Sequence, residues 1–281
     1  MQKTNFFRQH RFKLNIKKLS LADKANIHDL YERSVQNVEH EIEFMQETYQ
    51  QLKTKSAYSY REDFCGTANS SYEWIKQGDD YDAIGVDNDE SVLFWAKNNR
   101  LMHLPDKEFQ RIKIIEADVM TVKSFPVDIL SAFNFSYFVF DSREQLCLYF
   151  KRSLATLKSD GIFFLDLFGG PEAHQELIEK TEHDDFTYIW HQSKFHPLSN
   201  FIECSISYDF PDGSIIEDAF IYKWRLWSAP EIKELLLEAG FERVTFYWEG
   251  EDDEGEGNGE FLPNNEGEPD LAWIIYIVAE K

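Results

Sequence analysis

Between residues 57 and 168, short apolar runs alternate with stretches of helical periodicity, and this alternation constrains the fold more than any other feature of the chain. The apolar runs are 57–64, 83–86, 112–115, 129–133 and 162–168, and helical segments at 71–77, 92–98 and 144–157 fall among them. The runs are brief and mostly apolar on both faces, as a strand covered on both sides requires. Strand and helix at this spacing predict βαβ units and a doubly wound, mostly parallel α/β sheet with helices on both faces.

The flanking segments read differently. Ile27, Leu30, Tyr31, Val35, Val38, Ile42, Met45 and Tyr49 recur at three- or four-residue steps and predict helix from Asn26 through Tyr49. Runs at 186–191, 201–210 and 215–227 are rich in β-branched and aromatic residues, with a Pro211-Asp212-Gly213 turn joining the last two, and predict an antiparallel insertion. Ser228 and Glu231 form a capping box for a helix that Gly240 ends. Two strands follow at 244–248 and 273–278, and the acidic, Gly-rich stretch 249–270 between them is expected to be a mobile loop.

Composition narrows the function. The chain carries a net charge of −22, which disfavours nucleic acid as a partner. Lys3, Arg8, Arg11, Lys13, Lys17 and Lys18 give residues 1–20 a charge of +6, read as an arm lying against an acidic body or staying mobile. No apolar run is long enough for a bilayer, no signal peptide is seen, and three scattered cysteines suit neither a disulfide framework nor a zinc site. A cytoplasmic location, no membrane partner and no metal are the expectations. A homodimer is left open.

The first βα turn reads Arg61-Glu62-Asp63-Phe64-Cys65-Gly66-Thr67-Ala68. In open α/β sheets a ligand sits beyond the carboxyl ends of the strands, where Gly66 lets backbone approach it. Asp87 ends the next strand, 21 residues after Gly66, where a carboxylate can accept from both hydroxyls of an adenosine ribose. Asp118 ends the third strand within reach of an adenine amino group, and Asn134 ends the fourth. A dinucleotide usually demands three glycines in this turn and would be repelled by Glu62 and Asp63. S-adenosylmethionine has no phosphate and carries a positive sulfonium and amino group, so the acids favour it.

Residues 62–68 resemble motif I of the class I S-adenosylmethionine-dependent methyltransferases, an acid followed by G-x-G-x-G. Phe64 stands at the first glycine and Ala68 at the third. Residues 84–87 resemble the second motif, and Ala117-Asp118-Val119 the adenine-contacting one. The likeness spans roughly 57–170 and 228–281 and implies a seven-stranded sheet whose last strand is antiparallel. It also implies cofactor contacts from Glu62, Cys65, Gly66, Thr67, Asp87, Asp118, Val119 and Asn134, and from Tyr31 on the N-terminal helix, near Gln36 and His40. Arg61 is a further cofactor candidate, with an ion pair to Asp63 as the alternative. The organisation is then an arm and cap helices (1–55), a Rossmann-like cofactor core (56–170), an antiparallel insertion covering the active site (171–227), and a helix and hairpin completing the core (228–281).

The expected reaction is methyl transfer to a nitrogen or oxygen of a small molecule by in-line displacement. A base is needed only where the acceptor arrives protonated; Tyr137, Asp141 and Asp166 are the candidates. Tyr137, Trp190, Arg225 and Trp227 are the acceptor-binding candidates, beside Tyr222 and Trp224, because aromatic rings can box an amine or a flat ring. A non-catalytic binding module on the same fold and a nicotinamide-dependent oxidoreductase are the alternative functions.

Overall fold

The computed structural model describes residues 19–252 and 257–281. Most of the basic arm therefore lies outside the described residues. The helices are α1 (Leu21–Lys24), α2 (Ile27–Val35), α3 (Val38–Lys53), α4 (Asn69–Ile75), α5 (Glu90–Asn99), α6 (Asp106–Phe109), α7 (Arg143–Thr156) and α8 (Ala229–Ala239). The strands of the main sheet are β1 (Ser59–Asp63), β2 (Asp82–Asp87), β3 (Ile112–Glu116), β4 (Val127–Ala132), β5 (Leu157–Gly169), β10 (Arg243–Glu251), β11 (Gly257–Pro263) and β12 (Trp273–Glu280). A second sheet holds β6 (Leu177–Glu182), β7 (Thr187–His196), β8 (Phe201–Asp209) and β9 (Ile215–Arg225).

The main sheet runs β11-β10-β12-β5-β4-β1-β2-β3. Strands β1 to β5 pair in parallel, and β12 is antiparallel to both β5 and β10. The expected seven strands are all present, and β11 adds an eighth at the edge. That strand occupies part of the stretch read as a mobile loop: Leu262 and Phe261 pair with Trp248 and Glu249. The pairing is invisible to hydrophobic pattern because an edge strand can be polar on its outer face.

Both faces are covered. Tyr60, Ile129, Phe164 and Val278 pack against Met45 and Tyr49 of α3 and Trp74 of α4, while Leu130, Phe163, Leu165 and Ile277 pack against Leu146 and Phe150 of α7 and Leu235 of α8. The Ser228–Glu231 capping box forms, and Gly240 ends α8 at φ 111°.

The helix expected from Asn26 through Tyr49 breaks at Gln36 and Asn37, which are both non-helical. The two halves serve different cores. Leu30 of α2 packs with Phe186, Ile206 and Tyr208 of the small sheet, whereas Ile42 and Met45 of α3 pack on the main sheet. One straight helix cannot present its apolar stripe to both. The insertion is antiparallel throughout, in the order β6-β7-β8-β9, with β6 an addition to the three expected strands.

Candidate active site

The strand order reverses between β1 and β4, and the loops leaving these two strands part there. This is where an open α/β sheet binds its ligand. A cleft of about 210 Å³ opens at this point, lined by residues 62–67, Asp87, Asp89 and Asn134 and roofed by His28, Tyr31, Phe220 and Tyr222. The floor comes from the main sheet and the roof from α2 and β9, with the Tyr31 and Phe220 rings 4.9 Å apart.

The turn after β1 has a distinctive backbone. Phe64, Gly66 and Ala68 stand at φ 59°, 52° and 57°, all in the left-handed region. The three positions matching the motif's glycines thus keep glycine-like geometry although two are not glycine. Each such L-residue costs about 1–2 kcal/mol. Packing offsets it: Phe64 lies against Phe140 and Tyr149, and the Ala68 methyl is buried with Cys65 and Leu93.

Two carboxylates hold the turn. Asp87 Oδ2 accepts from the Gly66 amide at 2.8 Å, and its Oδ1 accepts from the Asp89 amide at 3.0 Å. Glu62 Oε2 accepts from the Ser71 amide at 2.9 Å and the Ser71 hydroxyl at 2.6 Å. Ala68 offers no capping side chain at the start of α4, so Glu62 does that work from the strand. Burial pushes the Glu62 carboxyl up to about 7.

The cleft has the features a sulfonium nucleoside needs. Thr67 Oγ1 is buried without a hydrogen-bond partner, and a Cβ built on Gly66 would meet nothing within 4 Å. Glu62, Asp63, Asp87 and Asp89 line it with no lysine or arginine among the described residues, and burial lowers the pKa of His28, the one histidine of the wall. A pyrophosphate would meet these acids with no lysine or arginine side chain lining the cleft to balance it.

Several sequence expectations are corrected. Arg61 does not reach the cleft: the strand's period of two turns it to the opposite face from Glu62, where it is buried, bonds Asp63 at 2.7 Å and donates to Ser124. The ion-pair alternative is the one realised. Asp118 is exposed outside the cleft, its carboxylate accepting from the Met120 amide at 2.8 Å, and Val119 is buried in the core.

None of the three base candidates lines the cleft. Tyr137 is wholly buried and donates to the Asp166 carbonyl at 2.7 Å. Asp141 is exposed, and its carbonyl accepts from Arg225. Asp166 is buried and accepts from the Asn134 and Phe135 amides. Glu62, Cys65, Gly66, Thr67, Asp87, Asn134 and Tyr31 do converge on the cleft. Gln36 joins them, its Oε1 taking a hydrogen bond from Asn69, whereas the His40 ring packs near Phe261. His28, Phe133 and Phe220 are additions that no motif signals.

A second cavity of about 450 Å³ adjoins the first, sharing Tyr31, Asn134 and Tyr222 with it. Trp190 lines it, together with Tyr188, Trp224 and Trp273. Arg225 and Trp227 do not. Arg225 stacks over Trp227 at 3.8 Å and pairs with Glu231, and the Trp227 indole donates to the Phe140 carbonyl, so both dock the insertion onto α8 and the loop before α7. Among the described residues no three potential metal ligands come together.

No family model matches this sequence, and no curated protein matches it either. Solved structures do. The chain is similar to an S-adenosylmethionine-dependent methyltransferase from Clostridium acetobutylicum, at 16% identity over 90% of this chain and 96% of that one, with a TM-score of 0.66. An amino pentose methyltransferase from Micromonospora echinaspora, solved with S-adenosylmethionine bound, matches at 13% identity over 91% and 97% of the two chains, with a TM-score of 0.63. A sugar N-methyltransferase from a Streptoalloteichus species matches at 14% identity over 99% of each chain, with a TM-score of 0.60. At such identities the likeness is one of fold: the chain has the Rossmann-like class I methyltransferase fold with an antiparallel insertion.

Proposed function

We propose that this protein is an S-adenosylmethionine-dependent methyltransferase acting on a nitrogen or oxygen of a small molecule. The observation that carries the reading is the turn after β1, where Phe64, Gly66 and Ala68 all adopt the left-handed backbone and frame a cleft at the strand-order reversal that is lined by carboxylates and by no lysine or arginine. In this reading the Gly66 and Thr67 segment and the Glu62 side hold the methionine part, Asp87 faces the ribose, and Asn134 and Tyr31 stand between cofactor and acceptor. The three similar structures described above are methyltransferases, one an amino pentose methyltransferase and one a sugar N-methyltransferase, which supports the same assignment.

S-adenosylmethionine, when bound, supplies an activated methyl group: the acceptor's lone pair forms the new bond to carbon while the carbon–sulfur bond breaks and its electrons stay on sulfur. The protein's share is alignment and exclusion of water. Tyr31, Phe220 and Tyr222 roof the cleft, and burial drives the Tyr31 and Tyr222 hydroxyls well above the usual phenol range, so neither serves as a base near neutral pH.

Calorimetric titration with S-adenosylmethionine and S-adenosylhomocysteine, with NAD as control, tests the assignment. Micromolar binding of the first two without NAD binding is expected. A folded protein that binds neither sinks it, and NAD binding alone returns the dinucleotide reading.

A further inference from the structure

The wall of the second cavity has a one-sided chemistry. Its charged side chains are Glu172, Glu179 and Glu249, with no lysine, arginine or histidine among the described residues. Glu249 is partly committed, since its Oε1 accepts from the Gly259 amide at 2.9 Å. Glu172 and Glu179 form no ion pair with any described cation. The one buried amide donor of the wall is also occupied: Gln192 Nε2 donates to the Glu172 and Gln175 carbonyls, both at 3.0 Å. An anionic group entering this space would meet carboxylates and no cationic side chain among the described residues.

The apolar part of the wall is aromatic. Tyr222 and Trp224 lie 4.2 Å apart, and Trp190 is within 6.4 Å of both. Trp273 lines the cavity as well, with Gly169 making room for its indole: a Cβ there would fall 2.3 Å from the ring. Ring faces attract cations, and carboxylates attract them more strongly. Resting on the function proposed above, we infer that the acceptor is a small molecule bearing a protonated amine on a flat or apolar body. Glu172 and Glu179 attract its ammonium group and the Trp190, Trp224 and Trp273 rings its body. The nitrogen gives up its proton to a carboxylate or to water before its lone pair faces the methyl group past Tyr31, Asn134 and Tyr222, the residues shared with the cofactor cleft.

Three probes with one body separate the charge types: 2-phenylethylamine, 2-phenylethanol and 3-phenylpropionate. Each is titrated into the full chain near neutral pH while tryptophan fluorescence is followed, since three indoles line the cavity. The amine is expected to bind about tenfold or more tightly than the alcohol, and the carboxylate weakest. The double variant Glu172→Gln with Glu179→Gln should erase that margin and leave the alcohol unchanged. If circular dichroism shows the double variant unfolded, added salt on the unmodified protein takes its place and should weaken the amine selectively. Equal binding of amine and alcohol, tighter binding of the carboxylate, no quenching by any probe, or an amine margin indifferent to both variant and salt overturns the inference. An S-adenosylmethionine titration on the same sample keeps the two claims apart. Cofactor binding without amine preference defeats this inference alone, and amine preference without cofactor binding defeats the proposed function.

Discussion

Asp166 holds Asn134 in place from behind the cavities: its Oδ2 accepts from the Asn134 amide at 2.6 Å, and its Oδ1 from the next amide, that of Phe135, at 2.9 Å. Both clamped residues stand at φ 56°, a conformation that L-residues keep only when something fixes it. Asn134 lines both cavities, so the clamp sets the wall between them. An Asp166→Asn variant can accept at one oxygen but turns an NH2 toward the second amide. It should lose about 1–3 kcal/mol of stability and bind S-adenosylmethionine more weakly. Urea denaturation and calorimetry measure the two effects. Unchanged stability would show that the turn holds without the clamp.

Asp87 joins the turn after β1 to the start of α5 by accepting from both the Gly66 and Asp89 amides. Asp87→Ala removes both bonds and the proposed ribose contact together. Cofactor affinity should fall at least about tenfold, equivalent to about 1.4 kcal/mol, in a protein whose circular dichroism spectrum is retained. Asp87→Asn, which keeps one acceptor, should fall between the two. Equal affinity in all three proteins would remove Asp87 from the site.

Gly66 and Ala68 offer a matched pair of substitutions. A methyl at Gly66 meets no atom within 4 Å, so Gly66→Ala isolates the backbone cost at φ 52° and should destabilise by about 1–2 kcal/mol. Ala68→Gly relieves a similar strain at φ 57° but gives up a buried methyl worth about 0.8 kcal/mol. It should be neutral or slightly stabilising. Thermal unfolding of both variants checks the opposite signs.

Three buried acids predict the pH dependence. Burial, their largest cause, pushes Glu41 up to about 8 and both Glu62 and Asp166 up to about 7. In the unfolded chain these groups ionise in the ordinary carboxylate range, so the folded protein holds extra protons between about pH 4 and pH 8. Their contribution to stability is full below that window and is lost as pH rises through it. Acids held low, such as Asp89 by the Ser91 hydroxyl, respond only below it. The ligand-free melting temperature should therefore fall from about pH 5 to about pH 8. A bound cation beside Glu62 favours the ionised form, so the added stability from S-adenosylmethionine should grow over the same range. Calorimetric scans with and without cofactor test both trends, and a ligand-free melting temperature that climbs across the window contradicts the first.

The alternating pattern of the sequence was enough for the sheet because a strand covered on both faces is apolar over most of its length, as β4 and the second half of β5 are. The capping box at Ser228 and the stop at Gly240 are equally local, and both formed. The site was legible only where motif and backbone coincide. Gly66, Asp87 and Glu62 follow from strand ends, but a strand end does not tell which way a side chain turns. Asp166, Asp118 and Arg61 all sit near the right edge of the sheet and are spent on a backbone clamp, a turn and an ion pair. Arg225 and Trp227 were misplaced for a related reason: Arg225 is the last paired residue of β9, and the chain turns from there toward α8. The break at Gln36 follows from two cores competing for one run of apolar residues, which no single-helix periodicity can express.

The order of the sheet also dictates when it can be finished during synthesis. β12 leaves the ribosome after β10 and β11 yet lies between β10 and β5. The nascent chain can therefore pair β3 through β5 early, while the β10–β11 hairpin has no neighbour to join until Trp273–Glu280 emerges. Until that moment the β5 edge stands open, and the indole of Trp273 that completes the second cavity has not arrived. The floor of the first cleft is thus made before the wall of the second cavity, which waits for Trp273 at the end of the chain.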